Sequence, residues 1–117
     1  MIRRKDELNV AKLEEFRGGN GVTELRHLLS AEELGKAGRL FAHAVLHPGA
    51  SIGYHKHEGE YEVYYILDGT AKLTQDDEVY ELHAGDMSLC PPGSSHGIEN
   101  CMADKDLHYM AAIFFEI

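Results

Sequence analysis

Glycine and proline divide this chain into short segments, and that punctuation restricts its fold more than any other feature. The 117 residues include 12 glycines and 3 prolines, and the apolar stretches between them are short. Several stretches alternate polar and apolar residues, the period-two pattern of strands with one buried face. A helical bundle needs longer uninterrupted segments than this glycine density allows. The pattern predicts an all-β sandwich or barrel.

The expected strands follow one another at short and regular spacing. Turn signals at Pro48-Gly49, Asp68-Gly69 and Ala84-Gly85-Asp86 separate several of them. Strands are predicted over residues 22–29, 39–47, 52–57, 61–67, 70–74, 78–83, 87–90, 96–100 and 106–115. With no linker or internal repeat in the chain, one domain over residues 1–117 is expected.

The first 34 residues are predicted to form an N-terminal arm. Residues 8–16 are expected to be a short helix or an irregular arm, and the alternating residues 22–29 a strand. Ser30 and Glu33 have the spacing of a capping box, which predicts a short helical turn.

Composition narrows the classes of partner. The formal net charge of -9 opposes binding to phosphate backbones, so a nucleic-acid partner is not expected. No run of 18 apolar residues is present, which argues against a membrane helix. No apolar segment of the secretory type follows the start of the chain, so a cytoplasmic location is expected.

The chain is rich in histidine, and some of the histidines have the spacing of metal ligands. Of eight histidines, His55 and His57 lie two residues apart, so on a strand they face the same side. Glu62 follows a turn and would lie on the antiparallel neighbour, while His96 begins a later strand. Three imidazoles and one carboxylate form a ligand set suited to divalent Mn, Fe, Co, Ni, Cu or Zn.

Two longer patterns surround these residues. The first reads Gly49-x5-His55-x-His57-x4-Glu62-x6-Gly69, and the second reads Gly85-x5-Pro91-x-Gly93-x2-His96-x3-Asn100, with fifteen residues between them. Both resemble the two motifs of the cupin family at every defining position. The tight resemblance covers residues 49–100, and the flanking strands fit the same barrel loosely.

The resemblance implies a double-stranded β-helix, or jelly-roll barrel, with a metal ion near its centre. It also implies that His55, His57, Glu62 and His96 are the ligands of that ion. Neither Glu58 nor Glu60 keeps the six-residue gap to Gly69 that the motif requires, so neither is expected to be the carboxylate ligand. An octahedral ion with four protein ligands keeps two positions open, which suits a small anionic or polyhydroxylated ligand.

Two further residues are candidates for catalysis. His43 lies in the middle of a predicted strand and could transfer protons, although the sequence does not show which face of strand 39–47 lines the pocket. Tyr64 shares its strand face with Glu62, so its hydroxyl is expected to point into the pocket. The structural alternatives are an outward-facing histidine and a tyrosine that only packs in the barrel.

Cupins include isomerases, epimerases, lyases, dioxygenases and binding proteins, so the fold does not fix the reaction. The complete ligand set favours a metal-dependent enzyme of the isomerase, epimerase or lyase type, acting on a sugar-like or hydroxy-acid metabolite. The alternatives are an iron-dependent dioxygenase and a non-catalytic binding or sensing protein. A homodimer is expected by analogy, because related barrels pair through an N-terminal strand and residues 1–29 provide one.

Overall fold

Two antiparallel sheets pack face to face in the computed structural model, which describes residues 1–116. A short helix, α1, spans Ala31–Leu34, and two 3₁₀ turns span Lys5–Glu7 and Phe16–Gly18. The strands are β1 (Asn9–Glu14), β2 (Val22–Leu29), β3 (Gly38–Leu46), β4 (Ser51–Lys56), β5 (Glu60–Asp68), β6 (Thr70–Gln75), β7 (Glu78–His83), β8 (Met87–Cys90), β9 (Ser95–Glu99) and β10 (Leu107–Phe115).

The strand order is that of a jelly roll. One sheet has six strands in the order β1-β2-β3-β10-β5-β8, and the other has four in the order β4-β9-β6-β7. From β3 onward, most strands adjacent in sequence, such as β4 and β5, lie in different sheets, as expected where connections cross the barrel. The prediction of an all-β jelly-roll barrel is confirmed. Within residues 1–116, no helix is long and apolar enough to cross a membrane.

The inward faces of both sheets form one apolar core. Every second residue of the central strands is buried, including Tyr64 and Ile66 on β5 and Tyr109 and Ala111 on β10. Some of these core side chains, among them Tyr64, Tyr109 and Ala111, also line a cavity in the barrel. The strand alternation that builds the core thus also supplies the walls of the cavity.

The predicted strand boundaries agree with the structure to within one residue at each end from β2 to β10. The predicted capping box is also present: the Ser30 hydroxyl accepts from the Glu33 amide at 3.1 Å, and Glu33 accepts from the Ser30 amide at 2.9 Å.

The prediction for residues 8–16 was wrong, because this segment contains strand β1. Six residues of β1 pair in register with β2, from Asn9 opposite His27 to Glu14 opposite Val22. Charged residues interrupt the apolar pattern of β1, which hid the strand in the sequence. Pairing to a distant partner, rather than local preference, fixes its conformation.

A close approach of two backbones fixes the Phe16–Gly18 turn beside the cavity. A Cβ atom on Gly53 would overlap the carbonyl oxygen of Arg17, and one on Gly19 would overlap that of Ser51. Only glycine allows this contact, because it has no Cβ. Phe16 and Arg17, which both line the cavity, therefore depend on these two glycines for their position.

We expect Gly53→Ala to lower the free energy of unfolding by about 3 kcal/mol, because the new methyl group must displace the Arg17 backbone. Gly49→Ala is the matched control: Gly49 has a positive φ of 80° but open space around it, so only a conformational cost of about 1–2 kcal/mol is expected. Urea unfolding of both variants measures the difference. Equal losses would show that the close approach does not matter.

Candidate metal centre

Four side chains that could hold a metal ion meet inside the barrel. His55 lies on β4, His57 directly follows that strand, Glu62 lies on β5 and His96 on β9. Each offers one ligand atom, and these atoms all lie within 4.8 Å of one another. His57, Glu62 and His96 are buried, while His55 is partly exposed toward the cavity. The structure thus brings together all four ligands expected from the sequence.

The ligand atoms are close enough to share one ion. The Nε2 atom of His57 lies 3.1 Å from Nε2 of His55, 3.1 Å from Nε2 of His96 and 3.0 Å from Oε1 of Glu62. His96 Nε2 lies 2.9 Å from the same carboxylate oxygen. Adjacent ligands of an octahedral ion with bonds of about 2.1 Å are separated by about 3.0 Å. The spacing of this cluster therefore suits such an ion.

The hydrogen bonds of the Nδ1 atoms determine whether the Nε2 atoms of the cluster carry protons or bare lone pairs. His55 Nδ1 donates to the Gly53 carbonyl at 2.7 Å, and His57 Nδ1 donates to Oε1 of Glu60 at 3.0 Å. When these imidazoles are neutral, their single protons lie on Nδ1, so both Nε2 atoms present bare lone pairs. Two lone pairs 3.1 Å apart, beside the Glu62 carboxylate, repel each other unless a cation lies between them. The donor set therefore fits a divalent metal ion.

Electrostatics place protons and metal ions in competition for these atoms. Burial alone would raise the pKa of Glu62, but hydrogen bonds from His57, in its doubly protonated form, and from His96 outweigh it and hold that pKa at about 2. The hydrogen bond to Glu62 raises the pKa of His57, whereas burial lowers the pKa of His55. Without a metal, a proton on His57 is thus the cation that the carboxylate stabilises.

A cavity of about 290 Å³ opens onto the cluster. His55, His57 and Glu62 line its inner part. Its walls are largely apolar, and its charged or titratable lining residues outside the cluster and the tyrosines are Arg17, His27 and Arg39. Such a cavity has room for a small molecule whose polar end meets the cluster and whose remainder contacts the walls.

The two predicted catalytic residues lie in different places. Tyr64 lines the cavity and stacks on His96, with ring centroids 4.9 Å apart and planes inclined by 6°. His43 is not among the lining residues; its Nε2 atom instead lies 2.9 Å from Nδ1 of His108. Ala42 and Ala44 on either side are fully buried, so His43 takes the outer face of β3. This position gives no support to a catalytic role for His43.

Sequence reasoning missed three residues around the site. His27 lines the cavity, and alternation with the core residue Leu25 on β2 was a signal that could have found it. Glu60 lies two residues before Glu62, so the same alternation turns both carboxylates inward. Arg39 also lines the cavity, but no local pattern marks it, since its partner Glu60 lies on a different strand.

Comparison with known proteins agrees with this fold and cluster. The sequence profile of the Cupin domain family matches residues 42–113. The chain belongs to this family, and its histidine and glutamate cluster could bind a metal ion.

Individual relatives extend the comparison. The chain is 42% identical to the oxalate-binding protein of Thermotoga maritima, over 97% of this chain and 93% of that protein. It superposes with a TM-score of 0.91 on the crystal structure of a predicted oxalate decarboxylase of the same organism, 42% identical and covering 99% of this chain and 100% of that one. A 5-nitrosalicylic acid 1,2-dioxygenase of Bradyrhizobium is 32% identical over 62% of this chain and 39% of that protein.

We expect the protein to bind one divalent metal ion per chain, with an affinity that falls as the pH is lowered through about 6.5. Each imidazole must be neutral to bind, and the raised pKa of His57 means that its proton begins to compete above the usual histidine value. Titration calorimetry in buffers of different ionisation enthalpy measures the affinity and the protons released. A pH-independent affinity, or a His96→Gln variant that binds as well as the wild type, would contradict this.

Proposed function

We propose that this protein is a metal-dependent cupin enzyme that converts a small carboxylate or hydroxy acid by isomerase-, epimerase- or lyase-type chemistry. One divalent transition metal would be held by four ligands: His55, His57, Glu62 and His96. The observation that carries the proposal is that three residues of this cluster, His55, His57 and Glu62, line a small cavity that arginine side chains also line.

Charge favours an anionic ligand. Three neutral imidazoles and one carboxylate around a divalent ion leave a net charge near +1 in a site with few other charges. Arg17 adds positive charge to the cavity lining, whereas the charge of Arg39 is balanced by its ion pair with Glu60. A carboxylate is the ligand chemistry that such a site attracts. The 42% identical relative is named for binding oxalate, which belongs to the same chemical class.

A bound divalent ion would act as a Lewis acid on a chelating carboxylate or enolate. The chain itself would supply proton control and orientation. Burial and the charge of Glu62 raise the pKa of Tyr64 well above its usual value, so the Tyr64 hydroxyl stays protonated and serves as a hydrogen-bond donor. Outside the cluster, His27 is the imidazole that lines the cavity, and it is the residue suited to move a proton. The apolar walls restrict water.

For the metal-loaded protein, we expect turnover of at least one member of a panel of oxalate, malonate, 2-hydroxy acids and 2-keto acids. His27→Gln is expected to lower kcat by about a hundredfold or more, the usual contribution of a general acid or base. His43→Gln on the outer face is the matched control and should leave kcat within about twofold, since His43 does not line the cavity. Steady-state kinetics on both variants measures this. Loss of turnover only in His43→Gln would reverse the assignment.

A non-catalytic binding protein is the second candidate. It is supported by the position of His43, which the sequence marked as a candidate for proton transfer but which does not line the cavity. Calorimetry and mass spectrometry together distinguish the two: tight carboxylate binding by calorimetry, with no product detected by mass spectrometry, would establish a binding protein.

An iron-dependent dioxygenase is the third candidate, supported by the 32% identical dioxygenase relative. Oxygen uptake by iron-loaded protein would establish it.

The proposed homodimer has support on one sheet. Strand β1 is an edge strand that pairs with β2 alone within residues 1–116. The expected pairing through the N-terminal strand would use this edge. A second candidate interface lies at the opposite edge, where four exposed apolar side chains lie next to one another on β5 and β8: Tyr65, Leu67, Met87 and Leu89. Exposed apolar patches of this kind are typical of interfaces. A cytoplasmic location stays a prediction.

We expect sedimentation velocity to show a dimer, and Met87→Glu to weaken it by at least tenfold in Kd, because a charge would be buried without a partner. Val79→Glu is the control, since Val79 is 61% exposed but lies on the other sheet. A monomeric wild-type protein, or equal effects of both variants, would refute this interface.

A further inference from the structure

The three imidazoles of the cluster differ in what their second nitrogen contacts. His55 Nδ1 donates to a backbone carbonyl, and His57 Nδ1 donates to the carboxylate of Glu60. The buried Nδ1 of His96 has no hydrogen-bond partner within residues 1–116. His57 is thus the imidazole of the cluster whose second nitrogen faces a negative charge.

Glu60 is itself held firmly. Its side chain is 11% exposed, and Arg39 binds it through two parallel hydrogen bonds: Nε to Oε2 at 2.6 Å and Nη2 to Oε1 at 2.7 Å. A bidentate pair of this kind fixes the plane of the carboxylate and keeps it ionised. The oxygen that accepts from His57 is the one that also receives Arg39 Nη2.

The strand geometry explains how one segment supplies both carboxylates. Glu60 and Glu62 are two residues apart on β5, so their side chains leave the same face. Glu62 reaches the Nε2 side of His57 at 3.0 Å, and Glu60 reaches the Nδ1 side at 3.0 Å. The ring of His57 is therefore held between two carboxylates, one on each nitrogen.

An ionised carboxylate only accepts hydrogen bonds, so each carboxylate favours a proton on the His57 nitrogen that it faces: Nδ1 for Glu60 and Nε2 for Glu62. Glu62 can instead accept from His96 Nε2 at 2.9 Å, whereas Glu60 is fixed by Arg39, so the Nδ1–H tautomer of neutral His57 is favoured. That tautomer leaves the Nε2 lone pair directed at the cluster, and the adjacent negative charge increases its basicity. The opposite tautomer would place a proton where a metal ion must bind.

We propose that Glu60 and Arg39 are positioning residues that act through His57: Arg39 orients Glu60, and Glu60 selects the tautomer and ring orientation with which His57 binds metal. This inference rests on the proposed metal site. Arg39 also lines the cavity, so the same side chain links the cavity wall to a metal ligand.

The first experiment uses a metal ion alone as the probe. Zn²⁺ affinity of the full chain is measured by competition with a chromophoric chelator for wild type, Glu60→Gln, Arg39→Gln and Glu58→Gln. Glu60→Gln is expected to weaken binding about 10- to 100-fold, because an amide can donate to Nδ1 and so favours the wrong tautomer. Arg39→Gln should weaken it several-fold.

Glu58→Gln is the matched control. It removes the same charge two residues away, but the Glu58 side chain is 77% exposed and pairs with Lys56. We expect its Zn²⁺ affinity to stay within about twofold of the wild type. Equal weakening of Zn²⁺ binding by Glu58→Gln and Glu60→Gln would show that any lost negative charge near the site has the same effect. That result would overturn the proposal.

The second experiment requires neither metal nor activity. Nitrogen-15 chemical shifts of the imidazoles in metal-free protein report which nitrogen carries the proton. Because hydrogen bonds to Glu62 and Glu60 raise the pKa of His57, the spectra are followed upward in pH until His57 is neutral. We expect Nδ1–H for His57 in the wild type and a mixture with Nε2–H in Glu60→Gln. His57 protonated on Nε2 in the wild type would overturn the proposal even if metal binds.

The two experiments separate this inference from the proposed function. Wild-type protein that binds no metal but shows the Nδ1–H tautomer at His57 would refute the metal-dependent function and leave the positioning by Glu60 intact. Wild type and Glu60→Gln with equal Zn²⁺ affinity and equal tautomers would refute the positioning alone. Arg39→Gln, with its substitution on β3, gives a second test if Glu60→Gln does not fold.

Discussion

The repulsion between the ligand atoms of the metal cluster is the constraint on which the rest of this structure depends. These nitrogen and oxygen atoms lie close together with no proton between them. Neutral His55 and His57 both present Nε2 lone pairs, 3.1 Å apart and next to the Glu62 carboxylate. In a buried site of low effective dielectric, such an arrangement is costly unless a cation occupies it. A proton on His57 or a divalent ion meets that need. The barrel is accordingly built around a position for positive charge.

Strand alternation explains why the cluster forms at all. Each of β4, β5 and β9 places alternate residues inside, and the pairing of His55 opposite His96 aligns two of the ligands directly across neighbouring strands. A shift of one residue in any of these strands would turn its ligand outward and bring a neighbouring residue that is not a ligand into its place. The core packing that fixes strand register therefore also fixes the geometry of the site.

Local features of the sequence are enough to predict most of the fold and the residues of the metal cluster. Glycine and proline mark the turns, so the bounds of β2 to β10 can be predicted to within one residue. Motif spacing identifies the four ligand-type residues. What escapes sequence reasoning depends on distant partners. Residues 9–14 form a strand only because β2 offers an edge, and Arg39 enters the site only because Glu60 approaches from another strand. The face taken by His43 likewise depends on the register of β3 against β10.

The site also resolves an apparent conflict between overall charge and ligand. The chain carries a formal net charge of -9, which on its own would repel a carboxylate. Charges separated by more than about 8 Å in physiological salt are largely screened, so the local charges around the cavity decide. There the Glu60 carboxylate is neutralised by Arg39, and Glu62 faces three imidazoles that could bind a cation. A divalent ion would then make the interior positive, and an anion that enters the cavity would meet attraction rather than the charge of the surface.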